Sequence, residues 1–483
     1  MKEFPAAGRR RAASPSLASV ASTFQLESLA AHEPLENVQK GPPPFLSGMP
    51  PWDSVYEPTQ PITRRLAKII AKYGYAEAFD KAIARVGGQG IPELSLVHSL
   101  DQFFFYLDAL VQWIPEIRRW EQDGQTMHER TVYLRIIQLY YYFNQPELEA
   151  LQSPIAPGGD ALTPISEWLR DFAVDWGAFL DTPASAAKLA SFRYAPEYTW
   201  QDYEKPPEDY ATFNAFFARE FDNIDTLRPV AAPEDDRTIV FPAESTFVGQ
   251  WAVSTPVGDP MPADPSITVK HIQWSIKELL ADSEHADCFQ GGLFCHSFLN
   301  TFDYHRLHAP VAGKVLEAKF IPGQVYLQVD LQQQDPDAPE NGGLANAIIP
   351  QRYLNAEDPT GYQFVQCRGL LVLETEAFGK VAVLPMGMAQ VSSVVFTGPG
   401  GVPITLTEDE KAGCGYLEQV EKLNAKIAAV NEGRWMEKGE MFSFFQFGGS
   451  DCVMVFERRA NVSVTAQVGV HYPIRSRYAV AAI

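Results

Sequence analysis

Two histidines three residues apart lie in the stretch Phe302-Asp303-Tyr304-His305-Arg306-Leu307-His308-Ala309-Pro310-Val311-Ala312-Gly313. Imidazole takes and gives a proton near neutral pH, so His305 and His308 suit general acid/base chemistry. Taken alone, the same spacing serves paired structural histidines or half of a metal site equally well. A nucleophile is offered by Phe447-Gly448-Gly449-Ser450-Asp451. Gly-Gly-Ser is ordinarily a flexible turn. It also permits one specific reaction, in which the Ser450 hydroxyl attacks the Gly449 carbonyl and turns the amide into an ester. Glycine allows that approach because it has no Cβ, and a base must take the hydroxyl proton. β-Elimination then releases the ester and leaves dehydroalanine, which hydrolyses to a pyruvoyl cap.

Two further segments accompany these. Phe241-Pro242-Ala243-Glu244-Ser245-Thr246-Phe247 sets a carboxylate in a proline turn. Glu244 is either a solvated loop carboxylate or one that orients and charges a histidine, as in hydrolase triads. Residues 210–221 carry Phe213, Phe216, Phe217, Arg219 and Phe221, followed by Arg228-Pro229. An aromatic stripe at helical spacing is the pattern of a packed core. His285, Cys288, Cys295 and His296 lie near one another, but their spacings miss the usual zinc pattern, so no metal is expected.

The elements that must position these groups change character along the chain. Residues 1–60 are rich in Pro, Ser and Ala and read as a disordered tail or a draping arm. Residues 4–26 lack acids and include Arg9, Arg10 and Arg11, a composition that an organelle transit segment shares. Residues 61–230 read as helices, with Leu66, Ile69, Ile70 and Tyr73 at helical spacing, and likewise Phe104, Leu107, Leu110, Val111 and Ile114. Thr163-Pro164 is a helix start, because threonine caps a free amide and proline brings none. Thr212 is a second cap, with a helix reaching Phe221. From 231 onward short strand-like runs dominate, at 238–241, 247–253, 314–320, 370–375, 381–384, 453–456 and 462–468, with a helix over 416–430. The turn-glycine segments 309–315 and 436–441 resemble the two halves of a biotinyl/lipoyl-type barrel sandwich, with glycine at tight corners.

Composition narrows the partners. With 46% apolar and 20% charged residues, the 483-residue chain has the make-up of a globular protein with a large core. A formal charge of −21 argues against nucleic acid and against an anionic lipid surface. The odd count of 5 cysteines, with no CxxC pair, fits a reduced interior. No apolar run approaches the roughly 18 residues of a membrane helix.

In this order, the four segments resemble the phosphatidylserine decarboxylase family. That family shows an FFxR…RP segment, a Pro-x-acid-Gly turn, a YHRxHxPxxG stretch and a Gly-Ser processing site near the C-terminus. The resemblance implies that Ser450 becomes the pyruvoyl cofactor, that His308 activates it and that His305 serves the decarboxylation step. It sets Glu244 where the family has its triad aspartate. Glutamate is one methylene longer, and Ser245 replaces the following glycine, so the triad geometry shifts. A long helical segment stands where the family has a membrane-associated start. These departures, with the Phe-Gly-Gly-Ser form of the site, resemble a soluble fungal branch that acts on free aromatic amino acids, L-tryptophan favoured, in secondary metabolism.

The expected fold is therefore α+β. An N-terminal helical domain over 61–230 precedes a mostly β, barrel-sandwich-like pyruvoyl decarboxylase domain over 231–483. The latter is self-cleaved at 449/450 into fragments that stay together. The expected partner is a free amino acid as a small-molecule substrate, and the expected location is the cytoplasm. One alternative keeps the chemistry and takes phosphatidylserine, making phosphatidylethanolamine. Another is a non-catalytic carrier or binding module; that would need a hairpin-tip lysine within a Met-Lys-Met-like triplet, which is absent, and would leave both histidines unexplained.

Overall fold

The computed structural model describes residues 44–482 apart from 92, 123–124, 129–130, 159–160, 204, 206–208, 255–264, 270, 334–351, 357–360, 389–393 and 448. The basic segment 4–26 and Gly448 lie outside the described residues. Residues 44–60 drape over the helices. The Tyr56 hydroxyl and the Thr59 amide both donate to the Asp108 carboxylate, at 2.8 and 2.6 Å.

Helices run over Pro61–Tyr73, Ala76–Gly87, Leu100–Val111, Thr131–Phe143 and Pro164–Leu180. The helices at Pro61, Leu100 and Pro164 begin where the sequence can satisfy or dispense with free amides. Thr163 accepts from the Ser166 amide, with Pro164 in the first turn, and Ser99 accepts from Gln102. The Pro164–Leu180 helix buries Ile165, Trp168, Leu169, Phe172, Ala173, Trp176 and Leu180 on one side. At roughly 1.5–3 kcal/mol for each large side chain, that face far outweighs the helix's intrinsic propensity. The Thr212-capped helix stops at Phe217, short of the expected Phe221. Phe221 instead stacks on Tyr203, with ring centroids 4.8 Å apart, so tertiary packing ends the helix early. An antiparallel hairpin, Arg119–Gln122 with Gln125–His128, interrupts the helical region.

The later part is built on an eight-stranded antiparallel sheet. Its strand order is Trp435–Met436, Gly313–Ile321, Arg368–Thr375, Gly379–Met388, Gly449–Phe456, Leu293–Leu299, Ser245–Ala252 and His471–Tyr472. Two three-stranded sheets flank it. One joins Val394–Phe396, Met441–Phe445 and Arg306–His308; the other joins Val462–Val464, Arg477–Ala481 and Thr238–Val240. The chain is thus a mixed α+β fold. The expected strand over 462–468 is shorter, at Val462–Val464, and the expected helix over 416–430 appears as Tyr416–Asn431.

The two glycine turns lie side by side, since Gly313 pairs with Met436 and the Gly439 amide donates to the Ala309 carbonyl. A Cβ on Gly313 would sit 2.8 Å from the Glu374 carbonyl oxygen. Gly439 has φ +83°, which an L side chain resists.

One hydrophobic cluster continues from Leu66 and Trp168 in the helices to Leu307 and Phe445 around the short strands. The helical region reaches the 447–450 segment directly. Trp176 packs edge-on to Phe447 at 5.4 Å, and the Phe447 amide donates to Asn214 at 3.1 Å.

Candidate active site

Ser450 is the second residue of the strand Gly449–Phe456, inside the eight-stranded sheet. It lies opposite Gly387 on one neighbour and Leu299 on the other. Its side chain is fully buried, and its hydroxyl has no hydrogen-bond partner among the described residues. Buried hydroxyls are nearly always bonded, so this one adds nothing to the hydrogen bonding that holds the fold.

Residues 299–305 run beside 445–450. Ser450 pairs with Leu299 at one end, and the Phe445 amide donates to the His305 carbonyl, at 2.8 Å, at the other. His305 therefore shares a pair of joined segments with the serine. It is completely buried; neither ring nitrogen makes a well-formed hydrogen bond among the described residues, although the Asp303 and Asn300 backbone lies close enough to favour its charged form. The Phe217 ring stacks on it with centroids 3.8 Å apart. Burial first, and the Arg219 charge second, push its pKa well below the ordinary value, so the ring is neutral.

His308 ends the strand Arg306–His308 and is also buried. Its Nδ1 lies 2.7 Å from the Gly439 carbonyl oxygen. A carbonyl only accepts, so Nδ1 carries the hydrogen and Nε2 keeps the lone pair. The Tyr304 hydroxyl covers Nε2 at 3.2 Å. Burial, then Arg475, which also donates to Gly439, depress the pKa of His308 to about 3. The left-handed backbone that glycine permits thus supplies the carbonyl that fixes this tautomer.

The structure does not join Glu244 to His308 through their side chains. Arg228 takes the Glu244 carboxylate on two oxygens, at 3.0 and 2.7 Å. The connection runs through the backbone, as the His308 amide donates to the Pro242 carbonyl at 2.8 Å, within the turn that carries Glu244. With Gly439 on Nδ1 and Arg228 on the carboxylate, each group has met its own demand.

Other buried polar groups surround the site without having declared themselves in the sequence. His296 and Asp451 are both fully buried and lie 3.0 Å apart, and the Gln363 amide donates to the same Asp451 oxygen at 3.0 Å. His471 lies 3.0 Å from Asp303, whose other oxygen accepts from the Asn300 amide. The Asp303 contact raises the pKa of His471, and burial raises that of Asp303. Of these, only His296 had drawn notice, as a possible ligand. Among the described residues no three His, Cys, Asp or Glu side chains gather as a metal-binding group.

Residues 213–478, more than half of the chain, match the sequence model of the phosphatidylserine decarboxylase family. The chain belongs to the phosphatidylserine decarboxylase family. A phosphatidylserine decarboxylase proenzyme of Fusobacterium nucleatum is 28% identical over 290 residues, covering 60% of this chain and 74% of that protein. Phosphatidylserine decarboxylase proenzyme 3 of Schizosaccharomyces pombe is 24% identical over 293 residues, covering 61% of this chain but only 24% of the longer yeast protein. Decarboxylase iboD of Amanita muscaria is 25% identical over 325 residues, covering 62% of this chain and 80% of that protein. The family consists of carboxy-lyases that depend on a pyruvoyl group made from a serine of their own proenzyme. The residues present fit such a group: a buried serine hydroxyl without a partner among the described residues follows a glycine, with a buried neutral imidazole on the adjoining segment. Among the described residues no helix is long and apolar enough to cross a membrane.

Proposed function

We propose that this chain decarboxylates free aromatic L-amino acids, L-tryptophan favoured, giving the arylethylamine and CO₂. It is matured by cleavage of its own backbone between Gly449 and Ser450. The observation that carries this reading is the buried Ser450 hydroxyl, which has no hydrogen-bond partner among the described residues, beside a segment whose His305 ring is buried and neutral. Leaving that hydroxyl unsatisfied costs about 1–3 kcal/mol.

In maturation, the Ser450 hydroxyl adds to the Gly449 carbonyl and the C–N bond breaks, freeing the Ser450 amine. His308 takes the hydroxyl proton on Nε2, once the Tyr304 hydroxyl has turned away. Loss of the Ser450 α-proton expels the Gly449 carboxylate from Cβ. Tautomerisation and hydrolysis then release ammonia. The products are residues 1–449 and 450–483, held together by the sheet pairing of Gly449–Phe456 with both of its neighbours. The pyruvoyl group supplies a ketone that acts as an electron sink for the electrons left by CO₂. His305, neutral and sealed by Phe217, holds a lone pair and a proton away from water, and delivers the proton to the substrate carbon. Glu244 acts as a positioning residue, fixing through Arg228 the turn that binds the His308 amide. We assign 61–230 to a helical unit and 231–483 to the decarboxylase unit, whose glycine turns suit a barrel-sandwich core.

A free amino acid as substrate is supported by the charge of −21, which opposes docking on anionic lipid. The Amanita relative, covered over most of its length, is named simply a decarboxylase. All five cysteines are unpaired, which fits a cytoplasmic location. A second reading, phosphatidylserine, is favoured by the bacterial and yeast relatives. The test is CO₂ release from free tryptophan, tyrosine and phenylalanine against phosphatidylserine vesicles. Release from the vesicles alone would overturn the amino-acid reading.

A further inference from the structure

A cleft of about 330 Å³ lies between the helix Phe213–Phe217 and the strand Met441–Phe445, on the approach to the 447–450 segment. Its lining includes Asp181, Lys205, Arg219, Arg306, Phe444 and Gln446. Arg306 is already engaged, donating to the Ala218 carbonyl at 2.7 Å and pairing with Glu220 at 2.9 Å. Arg219 is not. It is 1% exposed, yet its Nε and Nη1 have no partner among the described residues. Only Nη2 is used, on the Phe302 carbonyl at 2.6 Å and more distantly on Tyr198.

No carboxylate pairs with Arg219 among the described residues. Its guanidinium rests against aromatic rings instead, 4.2 Å from the Tyr203 centroid and 5.1 Å from that of Phe216. Ring faces attract a cation, but far less than a carboxylate does in a dry site. A buried cation is normally paired, so this one lacks a counter-ion that a ligand can bring. Its planar fork fits an oxyanion. Asp181, in the same cleft, offers an acceptor for an ammonium group, and Phe444 offers an aromatic wall.

We propose that Arg219 forms an oxyanion subsite in this cleft and docks the carboxylate of the incoming amino acid. The oxyanion subsite stands on the unpaired guanidinium; the identity of its ligand rests on the amino-acid reading above. The subsite acts in docking, not in bond breaking. A cation that held the departing carboxylate throughout would stabilise the ground state and slow loss of CO₂. Replacing Arg219 therefore raises KM more than it lowers kcat. The Arg219 charge also reaches His305, so a bound anion eases protonation of that ring.

The test uses the full-length wild type with two unreactive probes, indole-3-propionate and inorganic phosphate, read by calorimetry and by thermal shift. Indole-3-propionate carries no amine, so its binding requires neither a pyruvoyl group nor turnover. Arg219→Met keeps the apolar packing, and Arg219→Lys keeps the charge without the fork. The expected result is a probe that stabilises the wild type, binds about tenfold or more weakly to Arg219→Met, and is intermediate for Arg219→Lys. Binding of indole-3-propionate but not phosphate identifies a free amino acid as the source. Binding of phosphate alone supports the oxyanion subsite and moves its ligand to a phosphorylated headgroup, sinking the aromatic reading and not the site. The proposal is overturned if neither probe binds wild type, or if folded Arg219→Met binds as tightly.

Discussion

Breaking the Arg228–Glu244 pair separates two roles for Glu244. The side chains are 18% and 12% exposed, so the pair is mostly out of water and little screened. Removing one partner strands the other in a part-buried site, at a cost of about 1–3 kcal/mol. Glu244→Gln leaves a part-buried guanidinium unpaired, and Arg228→Met leaves a part-buried carboxylate unpaired. In the double variant neither charge remains, so the cycle should show a coupling of about 2 kcal/mol or more, measured by urea unfolding. Maturation, followed as the appearance of the two fragments on a denaturing gel, should track this. Each single variant cleaves slowly, because the turn that holds the His308 amide through Pro242 is disturbed. The double variant recovers to within about tenfold of wild type, a difference of about 1.4 kcal/mol in the barrier. A triad acid behaves differently, since loss of the group that holds the imidazole tautomer costs on the order of 10⁴-fold whatever happens to Arg228. A double variant as slow as Glu244→Gln would refute the positioning role and restore the triad.

Other perturbations probe the rest of the site. His308 is neutral when folded, with its pKa lowered from 6.5 to about 3. Its contribution to stability is therefore present above the unfolded value and lost as pH falls toward the folded one, with a slope approaching about 1.4 kcal/mol per pH unit. His308→Gln should flatten this acid limb; an unchanged limb in chemical unfolding would contradict the assigned burial. His471 works in the opposite sense, because its raised pKa gives stability that is lost as pH rises through its folded value, and His471→Gln should remove that loss. Phe217→Leu should cost about 1–3 kcal/mol and admit water beside His305. The pKa of His305 then climbs and the acid limb of kcat moves upward, whereas a profile identical to wild type would deny that the stack tunes the ring. Asp451→Ala strips His296 and Gln363 of a shared acceptor, so a loss of about 3 kcal/mol or more is expected by urea unfolding, and a neutral result would mean that the two find other partners.

Part of the fold was legible in the sequence because the signals were local. Thr163-Pro164 and Thr212 marked helix starts that depend only on neighbouring residues. His305 and His308 stood in one segment, which chain pairing sets beside the strand Met441–Phe445 that leads toward Ser450. What stayed hidden depends on residues far apart. Arg228 lies 16 positions from Glu244, and nothing local says that it would capture the carboxylate. His471 meets Asp303 across 168 residues, and Gln363 meets Asp451 across 88. The hairpin Arg119–Gln122 with Gln125–His128 was absorbed into a helical reading, although Asp123-Gly124 between its strands is a favoured hairpin dipeptide.

The Gly449–Ser450 bond is tested most directly by intact mass on purified wild type and on Ser450→Ala. Wild type should give two chains ending at Gly449 and beginning at position 450, the smaller one lighter by one ammonia than a serine-terminated fragment. Ser450→Ala should remain a single uncut chain of 53.8 kDa. A wild type that stays at full length and still releases CO₂ from an amino acid would contradict the pyruvoyl origin of the activity.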